Sequence, residues 1–509
     1  MSSTQLDRDD LAAFGYRQEL DRGIGAFASF AAGVSYISIL TGTSQLFYFG
    51  YGTAGPAYLW SWPLVFLGQL MVALCFAELA ARYPLAGSVY NWSKRLAGPT
   101  TSWMAGWMML TASVVTLAAT ALALQITLPQ IWGGFQVVGD GTGTYDASLN
   151  AILLASVLIT ATTAINACGV RLMTRINSTG VFIELFAAVV LIAVLASQAV
   201  RGPAALLETN GTAAGHDLGY LGAFLAAALA SGYVMYGFDT ASSLGEETVA
   251  PSRTAPRAIL RAIVASFVLG GLILLFTVLA APDLADEQLG LTSGGLQYVV
   301  LAAAGADWGR AFLACVAVAI CVCVLAVHAA TIRIAFAMAR DNNLPGSSRL
   351  ARISPRFRTP VLPAVLIGAG GIVVLLLNVR QPQIFTVLTS IAVIMIYVAY
   401  LLVTVPMLLA RLRGRWQPSP GRFSLGRWGL PVNVVAVLWG AGMALNLAWP
   451  RREVYNATEP HHWYLQWGAF VFIGAIAASG LALYLGRQRS RTGVLPAHAF
   501  SADPVPPPG

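Results

Sequence analysis

The sequence predicts an all-α polytopic membrane protein of about twelve transmembrane helices, from its composition, its apolar run lengths and its charge placement. The chain has 509 residues, of which 57% are hydrophobic and 10% charged, with mean hydropathy +0.69. Soluble globular proteins carry about a quarter charged residues. Apolar runs of roughly 20 residues, the length that crosses a hydrocarbon core, start near Phe27, Tyr58, Ser102, Ser148, Ile176, Leu218, Ile259, Ala311, Val361, Ile384, Pro431 and Tyr464. The short loop from Cys168 to Arg175 is expected to separate the fourth from the fifth.

Charge placement orients these runs. With a cytoplasmic N-terminus, the inner loops hold Arg82, Lys94, Arg95, Arg171, Arg175, Arg253, Arg257, Arg261, the arginines from Arg340 to Arg358 and those from Arg411 to Arg427. The outer loops hold only Arg201, Arg380, Arg451 and Arg452. This is the positive-inside pattern for an even number of spans with both termini cytoplasmic, in a plasma (inner) membrane. The same placement accounts for the net charge of +8 by bilayer-flanking loops, so no nucleic-acid partner is expected. Residues 1–22 read as a cytoplasmic tail that mixes acid and base and lacks a small-residue cleavage site. Residues 487–509, ending Pro-Val-Pro-Pro-Pro-Gly, read as a disordered cytoplasmic tail. Cys75, Cys168, Cys315, Cys321 and Cys323 lie in or beside the apolar runs, and packing is their expected role.

The first and sixth runs are interrupted. Phe27 to Phe49 contains Ser38-Ile39-Leu40-Thr41-Gly42-Thr43-Ser44, and Ala223 to Leu244 contains Tyr233-Val234-Met235-Tyr236-Gly237-Phe238-Asp239-Thr240. A membrane helix tolerates unpaired backbone only where protein or a wet cavity receives the freed N–H and C=O groups, so the two breaks point to a ligand site and to a secondary transporter. A glycine at a helix-packing contact is the competing reading of Gly42.

Four stretches carry a resemblance to a known family: TGTSQLFYFG with GPAYLWSW; FAELAARYPLAGSVYNWSKRLAGP with SWMAGW; GFDTASSLGEETVAPSRTAPRAI; and IRIAFAMARDNNLP. The chain resembles the amino acid/polyamine/organocation (APC) permease superfamily, in its amino acid/choline transporter branch, over about residues 25–410. The resemblance implies a LeuT-like 5+5 inverted repeat with helices 1 and 6 unwound, followed by two further helices. The ten-helix core would span 23–410, with repeats over about 23–200 and 218–410, and helices 11 and 12 would occupy 411–486. It implies backbone amides of Thr41, Gly42 and Thr43 for a substrate carboxylate, and carbonyls of Val234, Met235, Tyr236 and Gly237 for an ammonium. Tyr233 and Phe238 would line the site, Tyr233 as a gating ring, and Arg333 would serve an inner gate or anchor a loop.

Asp239 could neutralise an ammonium, carry a proton or cap the following half-helix. Glu184 lies about two turns into the fifth run, too deep to snorkel, and is expected to carry the coupling proton or to bond a neighbouring helix. His328 is read as packing, Glu78 with Arg82 as an i, i+4 pair, and Glu246 and Glu247 as ties to basic loops. The expected activity is permease transport of an amino acid or small organic amine by alternating access in the lipid bilayer, proton-coupled or by exchange rather than sodium-coupled, since the eighth run offers a single threonine hydroxyl, Thr331. An amine, choline or polyamine permease or exchanger, and a non-transporting nutrient sensor, are the alternatives. No cofactor, metal site or catalytic cluster is expected, so the chain does not read as an enzyme.

Overall fold

The computed structural model describes residues 11–499 except 215, 217, 293, 378, 380–383, 418–420, 457, 458 and 460. Arg380 and the terminal stretches 1–10 and 500–509 therefore lie outside the described residues. The principal helices are α1 (Ala26–Ile37), α2 (Ile39–Ala54), α3 (Ser61–Arg82), α4 (Ser88–Leu96), α5 (Pro99–Ile131), α6 (Asp146–Ala167), α7 (Val170–Ser197), α8 (Tyr220–Val234), α9 (Thr240–Ser243), α10 (Pro251–Ala280), α11 (Gly295–Ala304), α12 (Ala306–Arg340), α13 (Val361–Leu377), α14 (Ile384–Leu412), α15 (Gly429–Ala448) and α16 (Gly468–Leu483). Among the described residues, ten segments are long and apolar enough to cross a membrane, with α8, α11 and α13 as shorter apolar helices.

Several helices run past the apolar stretch that marks them in sequence. α5 and α10 begin at Pro99 and Pro251, where a missing N–H costs nothing because the first helical donors have no intrahelical partner. The expected loop from Cys168 to Arg175 shrinks to a turn at Cys168 and Gly169. Gly169 takes φ 118°, and Val170–Arg175 is already helical.

α5 lies at the centre, packed along α12 and α14 and touching α4, α6 and α13. α1 packs on α7 and α10, α2 crosses α8, and α10 also packs on α3. The α2–α8 crossing requires a glycine, since a Cβ on Gly42 would lie 2.4 Å from Val234 Cγ2.

One end of the bundle carries the described segments nearest the termini, 11–24 and 487–499, and a buried layer of ions. Arg333 on α12 grips Glu247 bidentately, Nε to Oε2 at 3.0 Å and Nη2 to Oε1 at 2.9 Å. Arg340, two turns on, does the same to Glu246 with both contacts at 2.9 Å. Glu246 and Glu247 thus tie to α12 rather than to the basic loops, because the turn after α9 places both carboxylates against its buried face. Asp341 accepts from Tyr16 Oη at 3.0 Å, Tyr90 Oη at 2.8 Å and Lys94 Nζ at 2.7 Å, and the Arg340 guanidinium lies 3.8 Å from the Tyr16 ring centroid. Glu78 does not pair with Arg82. It takes Arg411 of α14 and Ser424 Oγ, while Arg82 lies over the Trp416 ring.

The segment 487–499 differs from the free tail expected of it. Gly493 N–H donates to Asp341 O at 3.0 Å, Leu495 N–H donates to Arg340 O at 2.9 Å, and His498 Nδ1 lies 2.6 Å from Glu19 Oε1. The exposed C-terminal carbonyls of α12 supply the partners that hold it.

Two outcomes follow from this packing. Gly42→Ala is expected to lower stability by about 1–3 kcal/mol through overpacking, read as a lower thermal unfolding temperature in detergent. Gly442→Ala, with open space around it, is expected to leave that temperature unchanged or raise it, alanine being the better helix former by up to about 1 kcal/mol. Glu247→Met strands the Arg333 charge and is expected to cost about 3–5 kcal/mol, whereas Glu247→Met with Arg333→Met recovers most of the loss. Equal stability of the single and double variants would contradict a buried, mutually dependent pair.

Candidate functional site

The first break is a single residue. Ser38 takes φ 45° and ψ 90°, a conformation uncommon for anything but glycine, and ends α1 by donating its N–H to Val34 O at 2.7 Å. α2 restarts at once, so its first-turn N–H groups open toward α7 in the middle of the bundle. Glu184 of α7 answers them. Its Oε1 accepts Leu40 N–H at 3.1 Å and Ser38 Oγ at 3.1 Å, and Ser38 Oγ also lies 2.6 Å from Thr41 Oγ1. The carboxylate caps a helix N-terminus from another helix, where the peptide dipoles favour negative charge. Its second oxygen, Oε2, is buried and has no hydrogen-bond partner among the described residues.

The break therefore falls at Ser38, the first residue of the expected interruption and one turn before Gly42. Gly42 N–H is already bonded to Ser38 O at 2.9 Å, and Thr43 lies further along α2 with its hydroxyl bonded to Ile39 O at 2.7 Å. Thr41 remains in the open first turn. Gly42 occupies the helix-packing position that was its competing reading.

The second break spans Met235 to Asp239. α8 ends at Val234, Gly237 turns the chain at φ 85°, and α9 begins at Thr240. Glycine is needed at 237 for the backbone and for space, since a Cβ there would lie 1.9 Å from the Tyr36 ring. Gly237 O accepts Thr240 N–H at 3.0 Å, while no backbone donor from the following turn reaches the carbonyls of Val234, Met235 and Tyr236 among the described residues. An open helix C-terminus thus faces the open N-terminus of α2. The Tyr36 and Tyr236 rings meet edge to face at 6.0 Å between them, and Tyr233 stands edge-on to Tyr236 at 6.3 Å and to Phe385 at 6.2 Å.

Asp239 does not cap α9 with its side chain. Its Oδ1 accepts Tyr400 Oη at 2.6 Å and its Oδ2 accepts Ser88 Oγ at 2.7 Å. Tyr400 Oη in turn accepts Gly237 N–H at 3.0 Å, so one phenol ties the middle and the far end of the break to α14. Phe238 packs between Phe76 and Tyr400. Thr41, Thr43, Glu184, Tyr233 and Asp239 are all buried.

Sequence reasoning passed over Ser38 as the hinge, Tyr36 as the ring between the breaks, and Tyr400 with Ser88 as holders of Asp239. Ser38 opens the quoted interruption, but no local signal marks it as the hinge, and nothing at position 400 singles that residue out along the chain. Three site-facing hydroxyls of α5 were also missed. Ser113 and Thr116 lie beside the Tyr36 hydroxyl, and Thr120 beside that of Tyr233. Arg333 sits away from the breaks, in the ion layer. His328 packs with Nδ1 3.2 Å from Thr162 Oγ1 and Nε2 3.0 Å from Ala364 O. Among the described residues no group of three or more His, Cys, Asp or Glu could hold a metal ion.

Comparison with known proteins agrees with this architecture. The Amino acid permease family model matches residues 24–476, which includes both breaks, Glu184, Asp239 and the ion layer. Amino-acid permease BAT1 of Arabidopsis thaliana is 28% identical over 446 residues, covering 84% of this chain and 86% of that one. The branched-chain amino acid permease BcaP of Bacillus subtilis is 27% identical over 484 residues, covering 87% and 91%. The methylthioribose transporter of the same bacterium is 28% identical over 408 residues, covering 76% and 84%. With a match that runs through nearly the whole helical bundle, the chain belongs to the amino acid permease family of the APC superfamily.

Proposed function

We propose that this permease is a secondary active transporter that moves an amino acid across the plasma membrane by alternating access, coupled to protons. The observation that carries the reading is the facing pair of helix ends. Thr41 N–H, in the first turn of α2 beside the donor that Glu184 takes, suits a carboxylate, and the open carbonyls at the end of α8 suit an ammonium. A free amino acid presents both charges, whereas choline or a polyamine offers no carboxylate to the α2 end. The Tyr36, Tyr233 and Tyr236 rings would contact the rest of the substrate, with Tyr233 as the gate.

In this reading α8 with α9, and α13, complete a set of twelve spans with the ten longer segments, and α1 through α14 form the 5+5 inverted repeat. The arginine distribution supports cytoplasmic termini, which makes the ion layer around Arg333 the inner closure. Glu184 carries the coupling proton. It is buried, it caps the break directly, and its Oε2 is free to hold a proton. One relative is named for methylthioribose rather than an amino acid, so uptake itself must identify the substrate.

The test is uptake of labelled amino acids into proteoliposomes, competed by a panel that includes 4-aminobutyrate, choline and putrescine, with and without an imposed proton gradient. Ligand binding without counterflow would replace the carrier by a sensor. Glu184→Gln is expected to abolish accumulation driven by the gradient while counterflow persists; gradient-driven accumulation by that variant would remove Glu184 from coupling. Asp239→Asn and Tyr400→Phe each weaken a charge-assisted bond at the second break, and each is expected to lower uptake about tenfold at unchanged expression.

A further inference from the structure

A groove of about 680 Å³ opens between the start of α5 and the last turns of α14, away from both breaks. Its mouth is lined by Arg95, Arg413 and Arg415, and no acidic residue lines it among the described residues. Its floor is apolar, with Leu402, Val405, Pro406 and Leu409 along α14. Val405 and Leu409 are 37% and 43% exposed on a helix otherwise long and apolar enough to span a bilayer.

The groove is built by a helix irregularity. Pro406 has no N–H to give to the Leu402 carbonyl one turn back, and Ser93 Oγ of α4 supplies the missing donor at 2.9 Å. That bond fixes α4 beside α14, and Arg95, two residues on, lines the groove. Arg95 is held by Phe14, whose carbonyl accepts Nη2 at 3.1 Å and whose ring lies 5.0 Å from the guanidinium carbon. Its Nε is buried without a hydrogen-bond partner. Arg413 and Arg415 are exposed just beyond the end of α14, at the same end of the bundle as the segments 11–24 and 487–499.

We infer that this groove binds an anionic phospholipid, its phosphate and headgroup among Arg95, Arg413 and Arg415 and an acyl chain along Val405 and Leu409. Charge complementarity selects the anion, and the apolar floor at membrane depth selects a lipid over a free anion. Basic pockets between membrane helices take anionic headgroups by this combination of charge and depth. The inference uses only the groove and the membrane setting, and stands apart from the transport reading.

The experiment is native mass spectrometry and thermal unfolding of the purified full-length protein in detergent, with phosphatidylglycerol, phosphatidylcholine or inorganic phosphate added. Phosphatidylglycerol is expected to form a retained adduct and raise the unfolding temperature, and the other two are not. Arg413→Ala with Arg415→Ala is expected to weaken adduct formation about thirtyfold, from the usual contribution of each basic residue near an anionic surface. Val405→Trp, which fills the floor but keeps the arginines, is expected to lose the adduct as well, while Arg349→Ala with Arg352→Ala keeps it. Retention of the adduct by the Arg413 and Arg415 variant, or an equal effect from phosphatidylcholine or from phosphate, overturns the inference.

Discussion

Backbone polar groups that leave a helix inside a bilayer must find partners in the protein, because lipid offers none. The break at Ser38 is built around that constraint. Turning the chain there frees the first N–H groups of α2, and a carboxylate from α7 receives one of them together with the hinge hydroxyl. Glu184 could not sit unpartnered at that depth, and the break could not stay open without an acceptor. Each makes the other tolerable, and the placement of α7 against α1 follows from it. The second break obeys the same rule with other parts: Tyr400 Oη accepts Gly237 N–H and donates its own O–H to Asp239.

Close approach is the second requirement. The two breaks face each other only because glycine lets α2 cross α8 at Val234 and lets the Tyr36 ring approach the backbone at Gly237. The aromatic rings around them then fill the space between helices, with the Tyr36 and Tyr233 hydroxyls beside Ser113, Thr116 and Thr120 of α5. A central helix lined with small residues and hydroxyls can serve both packing and a polar site, which is how α5 comes to touch so much of the bundle.

At the end that carries the ion layer the physics changes from capping to ion pairing. Two bidentate Arg–Glu pairs and the Asp341 cluster are buried, so each charge depends on its partner remaining in place. The segments 11–24 and 487–499 join this layer through backbone bonds to Glu247, Arg340 and Asp341. Any opening at this end has to separate groups whose charges are otherwise stranded, which gives such a layer the character of a latch with two positions rather than a hinge with many.

Along the chain, hydropathy and arginine spacing were enough to find the apolar helices, and glycine with small polar residues was enough to find both interruptions, because these signals are local. Glu184 was legible for the same reason, as a lone carboxylate in an apolar run. The exact hinge, Ser38 rather than Gly42, was not, since backbone torsion there is decided by a carboxylate 146 residues away. Nor could sequence pair Glu78 with Arg411, send Asp239 to Tyr400 and Ser88 instead of to its own helix, or lay 487–499 on the end of α12. Composition and periodicity fix which segments enter the membrane. Which buried charge meets which partner is settled only when distant helices come within hydrogen-bond reach, because in a dry interior the nearest satisfied geometry outweighs any local preference.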